Sequence, residues 1–137
     1  KKKLGEKKIH EFRRSWSLRP ENLDKNNVYH PLNIEKYKNI PKINIPDSES
    51  LEDTYNRVIP YFEDKILKLL KLKKKILVAA HGNSIRALCK YLFKINENDI
   101  SKLEIPTGNP LLIEFEKGIV KNARYLDKER AQDLINF

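Results

Sequence analysis

The stretch Ile76-Leu77-Val78-Ala79-Ala80-His81-Gly82-Asn83-Ser84 decides the fold class of this chain. Its first five residues are continuously apolar, which predicts a strand buried on both faces of a sheet. A glycine then allows a close turn, and the apolar spacing from Ile85 to Phe93 predicts an amphipathic helix. This order is typical of an α/β sheet, in which ligands bind at the carboxyl ends of the strands. His81 stands at such an end.

The residues before this stretch divide into an irregular part and a helix. Residues 16–49 contain four prolines and many Asn and Asp residues, which predicts a long irregular loop. Ser50 and Asp53 have the spacing of a capping box. The apolar periodicity after them predicts a helix over residues 50–72, which Pro60 should bend.

The residues after this stretch add two short strands. Apolar residues at 111–116 and 119–125, separated by a glycine, predict a pair of strands. We therefore expect a strand-helix-strand-strand core over residues 75–126. Residues 127–137 form the C-terminal tail, in which the pattern suggests a short helix.

Composition and charge exclude several classes of protein. No apolar run approaches the about 20 residues that a membrane-spanning helix needs, so we expect no membrane partner. The single cysteine, Cys89, excludes a disulfide framework in this chain and fits a reducing compartment. The net charge is +9, but 21 of the 28 basic residues are lysines and no nucleic-acid-binding motif is present. We therefore favour a solvated lysine-rich surface over nucleic-acid binding. The alternative is a positive electrostatic field that attracts a small polyanion.

Two groups of residues carry candidate chemistry. A His beside a helix N-terminus suits a phosphate ligand or acid–base work. From spacing alone, however, His81 could equally cap or hydrogen-bond the turn. Arg13 and Arg14 could grip one anion through bidentate contacts if their backbone is irregular, although such a pair is more commonly two solvated surface arginines.

Taken in order, these motifs resemble those of the cofactor-dependent phosphoglycerate mutases, a branch of the histidine phosphatase superfamily. The matching stretches are Phe12-Arg13-Arg14-Ser15, His30-Pro31, Glu49 to Thr54, Arg57 to Tyr61, Ala79 to Arg86, and Ile105 to Gly108 followed by Pro110-Leu111. The resemblance covers nearly the whole chain. It implies part of a three-layer α/β/α phosphoglycerate-mutase-like fold with a mostly parallel sheet that lacks its N-terminal strands, and it places residues 16–49 on the substrate side.

The resemblance also implies an activity and a set of site residues. Such enzymes interconvert 3-phosphoglycerate and 2-phosphoglycerate in glycolysis through a phosphohistidine primed by 2,3-bisphosphoglycerate, without a metal. By this resemblance His81 stabilises the phosphoryl group in flight. Arg13 and Arg14 bind the substrate's anionic groups. Gly82 and Asn83 contact its phosphate or carboxylate.

The chain departs from the family pattern in several places. It contains no Arg-His-Gly tripeptide, in which the family's phosphorylated His lies, and it lacks the segments with the catalytic Glu and a substrate-binding Lys. Leu18 to Asn22 replace a run of prolines after the double Arg. We therefore expect about 100 further residues before Lys1 in the native protein. We expect the 137-residue chain alone to be poorly stable and inactive.

Two alternative functions remain at this point. One is a histidine-type phosphatase that hydrolyses small phosphorylated metabolites in the same pocket. The other is a non-catalytic basic binding module. For the mutase, the expected partner is phosphoglycerate, with no nucleic acid and no membrane. We expect a cytoplasmic protein that forms a homo-oligomer when full length.

Overall fold

A computed structural model of the chain describes residues 5–131, apart from the side chains of Arg13 and Ala131. Within that range the helices and strands are α1 (Glu6–Arg14), α2 (Leu51–Tyr61), α3 (Lys68–Lys71), α4 (Gly82–Leu92), β1 (Leu111–Glu116) and β2 (Ile119–Tyr125). A π-helical segment, Phe62–Leu67, joins α2 to α3. The predicted C-terminal tail begins with a 3₁₀ turn at Glu129–Ala131, and its residues 132–137 lie outside the described part.

The helix α2 begins as the sequence predicts. The Asp53 N–H donates to Ser50 Oγ at 3.1 Å and the Ser50 N–H donates to Asp53 Oδ2 at 2.8 Å, which completes the capping box. Pro60 lies inside this helix and has no N–H to donate to the preceding turn. The hydrogen bonding widens from α to π just after it, at Phe62. The sequence predicted a bend at Pro60, and the structure has a change of helix type just after it.

The hydrophobic core lies between α2 and α4. Its buried members are Leu51, Ala87, Cys89, Ile95, Ile100 and Leu103. Burial raises the pKa of the Cys89 thiol to about 12, so this side chain is a neutral apolar group. Tyr91 on α4 adds a T-shaped contact with Phe62, with ring centroids 6.0 Å apart. This packing fixes where the N-terminus of α4 stands.

The strands β1 and β2 form an antiparallel hairpin at the predicted positions. Lys117 and Gly118 have positive φ of 52° and 85°, which is the backbone that a tight two-residue hairpin turn requires. A bulge between Glu114 and Phe115 shifts the register. Among the described residues, the sheet consists of these two antiparallel strands. The predicted mostly parallel sheet is therefore not confirmed.

The apolar stretch Ile76–Ala80 differs from its prediction. In the described structure it is not part of a sheet, and no backbone hydrogen bond joins it to another described residue. Leu77 is 92% exposed. A strand exists through hydrogen bonds to a neighbouring strand, and an apolar run does not supply that neighbour. The observed order over residues 75–126 is therefore helix-strand-strand, without the first predicted strand.

The irregular segment at residues 16–49 is held together from inside. His30 is fully buried, its Nε2 lies 3.2 Å from Asp47 Oδ1, and its Nδ1 accepts the Leu32 N–H at 3.2 Å. Ser48 Oγ donates to the Pro20 carbonyl at 2.9 Å. These contacts close the segment into a loop that returns to the start of α2. Among residues 5–131, no helix combines the length and apolar character needed to cross a bilayer.

Candidate functional site

A cavity of about 640 Å³ lies where α1, the N-terminus of α4 and the loop after residue 103 meet. Its lining consists of Glu6, Ile9, His10, Arg14, His81, Gly82, Asn83, Arg86, Glu104, Ile105 and Thr107. Four of the five predicted site residues are therefore brought together here: Arg14, His81, Gly82 and Asn83. The fifth, Arg13, has a side chain outside the described structure.

The turn at His81 forms the floor of the cavity. His81 has an extended backbone (φ −64°, ψ 149°), and its carbonyl accepts the Ile85 N–H at 3.1 Å. The next three N–H groups, of Gly82, Asn83 and Ser84, make no backbone hydrogen bond among the described residues. They lead an 11-residue helix, so unpaired donors and the positive end of the helix dipole meet at this point. This is the local geometry that favours an anion.

The His81 side chain is free for chemistry. It makes no capping hydrogen bond, and it has no side-chain partner among residues 5–131. The imidazole is exposed at the cavity surface. The sequence allowed two interpretations of His81: a role in ligand binding or acid–base chemistry, or a side chain that caps or hydrogen-bonds the turn. The second is not observed.

Arg14 is held in place by contacts with the loop at residues 101–104. Its Nη1 donates to the carbonyl of Ser101 at 3.1 Å and more weakly to that of Leu103 at 3.5 Å. Its Nη2 forms an ion pair with Glu104. The side chain is 22% exposed, so these contacts are only partly screened by water. They tie α1 to the loop that carries Leu103 and Glu104.

Arg13 and Arg14 differ from the sequence expectation in their backbone. Both are helical, being the last two residues of α1. Neighbouring residues on a helix point about 100° apart, so the irregular backbone on which the shared-anion idea depended is not present. The side chain of Arg13 lies outside what the structure describes, so its assignment to substrate binding stays a prediction.

Comparison with known proteins identifies the family. The model of the histidine phosphatase superfamily (branch 1) matches residues 20–127.

The chain belongs to this superfamily. It is similar to curated proteins named 2,3-bisphosphoglycerate-dependent phosphoglycerate mutase. The one from Pelagibacter ubique (strain HTCC1062) is 61% identical over 138 residues, which cover 100% of this chain and 58% of that protein. Those from Buchnera aphidicola subsp. Cinara cedri (strain Cc) and Maricaulis maris (strain MCS10) are 52% and 46% identical, over 84% and 96% of this chain. The chain spans about half the length of these curated relatives.

Two charged residues of this cavity, Arg86 and Glu104, were not among the predicted site residues. Arg86 is buried, and its Nη1 donates to Asn83 Oδ1 at 2.6 Å. The spacing of three residues on a helix is a signal that could have found this pair. Glu104 pairs with Arg14 from 90 residues away in the sequence, and no local pattern indicates that contact.

The charges of the described lining are balanced. Glu6 and Glu104 carry two negative charges, and Arg14 and Arg86 carry two positive charges. The positioned N–H donors of this cavity therefore favour an anion more than the net charge of its lining does. Those donors are the first N–H groups of α4, the guanidinium of Arg14 and the amide of Asn83.

Proposed function

We propose that the protein containing this chain is a 2,3-bisphosphoglycerate-dependent phosphoglycerate mutase that interconverts 3-phosphoglycerate and 2-phosphoglycerate. The observation that carries the proposal is the unpartnered imidazole of His81 at the N-terminus of α4, beside Asn83 and Arg14 in one cavity. The names of the relatives support the same activity. Phosphoryl transfer needs mainly positioning and charge stabilisation, and this site offers donors for both.

The residues in the cavity have separate roles in this proposal. The N–H groups that begin α4 and the amide of Asn83 hold a phosphate or carboxylate of the substrate. Arg14, together with Arg13, binds another anionic group. His81 donates a hydrogen bond to an oxygen of the transferring phosphoryl group, where negative charge is concentrated in the transition state.

The donor set fits an anionic cofactor. The start of α4 and Asn83 Nδ2 offer N–H groups without a described partner, which suits a group rich in acceptor oxygens. When bound, 2,3-bisphosphoglycerate supplies the phosphoryl group that primes the enzyme. The residues named above would hold it as they hold the substrate, and the proposal needs no metal.

The His that carries the phosphoryl group is not among these 137 residues in this proposal. The family resemblance places it in an Arg-His-Gly tripeptide, which the sequence does not contain. We therefore propose that the native protein supplies it from elsewhere and that the 137-residue chain alone is inactive. The apolar stretch Ile76–Ala80 would then pair as a strand in the mostly parallel sheet of a three-layer α/β/α fold.

A coupled assay of the native protein tests this function. Conversion of 3-phosphoglycerate to 2-phosphoglycerate should be strongly stimulated by 2,3-bisphosphoglycerate. Release of inorganic phosphate from phosphoglycerate without isomerisation would instead support the phosphatase of the same superfamily. We also propose a cytoplasmic homo-oligomer, for which light scattering of the native protein is the test of the oligomeric state.

A further inference from the structure

We propose that Arg86 is a positioning residue that fixes the side-chain amide of Asn83 with its N–H donors toward the ligand. The proposal concerns the polarity of the site, because an amide presents either a donor or an acceptor according to its orientation. It rests on the proposed function in one respect, since it takes Asn83 to bind an anionic group.

The contacts of Arg86 hold its guanidinium in two directions. Its Nη1 donates to Asn83 Oδ1 at 2.6 Å and its Nε donates to the Leu103 carbonyl at 3.0 Å. The residue is only 7% exposed and lies on the first turns of α4, one turn after Asn83. Leu103 itself is fully buried. The guanidinium therefore links the Leu103 carbonyl to the Asn83 side chain that lines the cavity.

The chemistry of the two side chains sets the orientation of the amide. A guanidinium carries N–H donors and no acceptor, so the part of Asn83 that faces it must be the carbonyl oxygen. The two ends of a carboxamide point in different directions, so the Nδ2 group is turned away from Arg86. Asn83 Nδ2 has no hydrogen-bond partner among the described residues, and the residue is exposed at the cavity. Its two N–H donors are thus available to an anion.

Without Arg86 the amide would lose this preference. The terminal torsion of Asn is broad and nearly two-fold, so both orientations become accessible. In one of them the carbonyl oxygen meets the anion, and the interaction is repulsive. A lysine at this position has one ammonium group in place of a fork and cannot serve both acceptors with the same geometry.

A double-mutant cycle in the native protein tests the proposal. KM and kcat for 3-phosphoglycerate are measured for wild type, Arg86→Met, Asn83→Ala and the double variant. We expect Arg86→Met to raise KM by about tenfold in the wild-type background. In the Asn83→Ala background it should raise KM by less than about twofold, because the amide on which Arg86 acts is absent. Equal effects in the two backgrounds would overturn the proposal.

A control variant separates positioning of Asn83 from general loosening of the protein. Tyr125 donates to the Glu104 carbonyl at 3.2 Å, so Tyr125→Phe loosens the same loop without touching Asn83. Its KM should stay within about twofold of wild type. An increase as large as that of Arg86→Met would show that loop stability is the cause and would refute the positioning role. If Arg86→Met does not fold by circular dichroism, Arg86→Lys takes its place in the cycle with the same criteria.

A spectroscopic measurement distinguishes failure of this proposal from failure of the proposed function. The Asn83 side-chain amide signal, assigned by its loss in Asn83→Ala, is followed by NMR while inorganic phosphate is added. In wild type we expect one signal that shifts with phosphate, and in the Arg86 variant a signal broadened by exchange between two orientations. An unchanged signal in the variant would contradict the positioning role, whether or not the protein is a mutase. An inactive wild type with the expected signals would contradict only the mutase.

Discussion

At the scale of single residues, His81 is the side chain whose freedom matters most. Its imidazole is exposed and has no described hydrogen-bond partner, so its removal leaves no buried group unsatisfied. We predict that His81→Ala in the native protein lowers kcat of the mutase reaction by about 100-fold or more, as removal of a transition-state donor does elsewhere. The melting temperature should hardly change.

A matched control for this prediction is present in the same cavity. His10 lies on α1, also lines the cavity and is also exposed. His10→Ala should therefore retain activity much closer to that of wild type. If His81→Ala keeps activity within about tenfold of wild type, its proposed role is wrong.

The ion pair of Arg14 with Glu104 leads to a second prediction. The carboxylate of Glu104 occupies one arm of the guanidinium and places negative charge in the cavity. Glu104→Gln keeps a hydrogen-bond acceptor and removes that charge. We predict that it lowers KM for 3-phosphoglycerate by about threefold, the scale of a partly exposed ion pair.

Glu6→Gln provides the control for that experiment. Glu6 lines the same cavity, and it forms no ion pair with another described residue. Its effect on KM should be smaller than that of Glu104→Gln. A higher KM in Glu104→Gln would mean that the ion pair supports binding by positioning Arg14.

At the scale of elements, the start of α2 depends on an ionised carboxylate. The hydrogen bond from Arg19 lowers the pKa of Asp53 well below its ordinary value of 3.8, and the Ser50 N–H and hydroxyl lower it further. A depressed pKa means that the carboxylate stabilises the fold above pH 3.8. That contribution is lost as the pH falls from there toward the folded-state pKa.

The lowered pKa of Asp53 leads to a third prediction. Stability between about pH 4 and pH 2 should fall less in Arg19→Gln than in wild type, because the variant's Asp53 has a pKa nearer to the unfolded value. NMR titration of the Asp53 carboxyl, together with urea unfolding at each pH, measures both quantities. An Asp53 pKa that does not rise in Arg19→Gln would contradict the assignment of Arg19 as its largest cause.

The elements also show which parts of the structure the sequence could predict. The capping box of Ser50 and Asp53 and the hairpin turn at Lys117 and Gly118 depend on residues next to one another, so their patterns were sufficient. The His81 turn is local as well. The pairing of Arg14 with Glu104 is a tertiary contact, and nothing in the neighbourhood of either residue indicates it.

At the scale of the whole molecule, Ile76–Ala80 is the part where pattern and structure differ. Its residues are as apolar as those of a buried strand, yet Leu77 and Val78 are exposed. A strand needs a neighbour as well as a pattern, and the described residues do not supply one. The predicted α/β class is confirmed by the helices and the antiparallel hairpin, but the mostly parallel sheet is not.

This difference gives a fourth prediction. If the native protein pairs another strand with Ile76–Ala80, the amides of these residues should be protected from hydrogen exchange there. In the isolated 137-residue chain they should exchange rapidly. The paired strand β1 serves as an internal reference, because it is hydrogen-bonded to β2 in this structure. Rapid exchange of residues 76–80 in the native protein would contradict the proposed parallel sheet.

We propose that the cavity around His81 belongs to a phosphoglycerate mutase. The most direct test of this activity measures conversion of 3-phosphoglycerate to 2-phosphoglycerate by the native protein, with and without 2,3-bisphosphoglycerate. We predict conversion that depends on this primer and that falls by about 100-fold or more in His81→Ala. A native protein that does not isomerise phosphoglycerate at any primer concentration would contradict the claim.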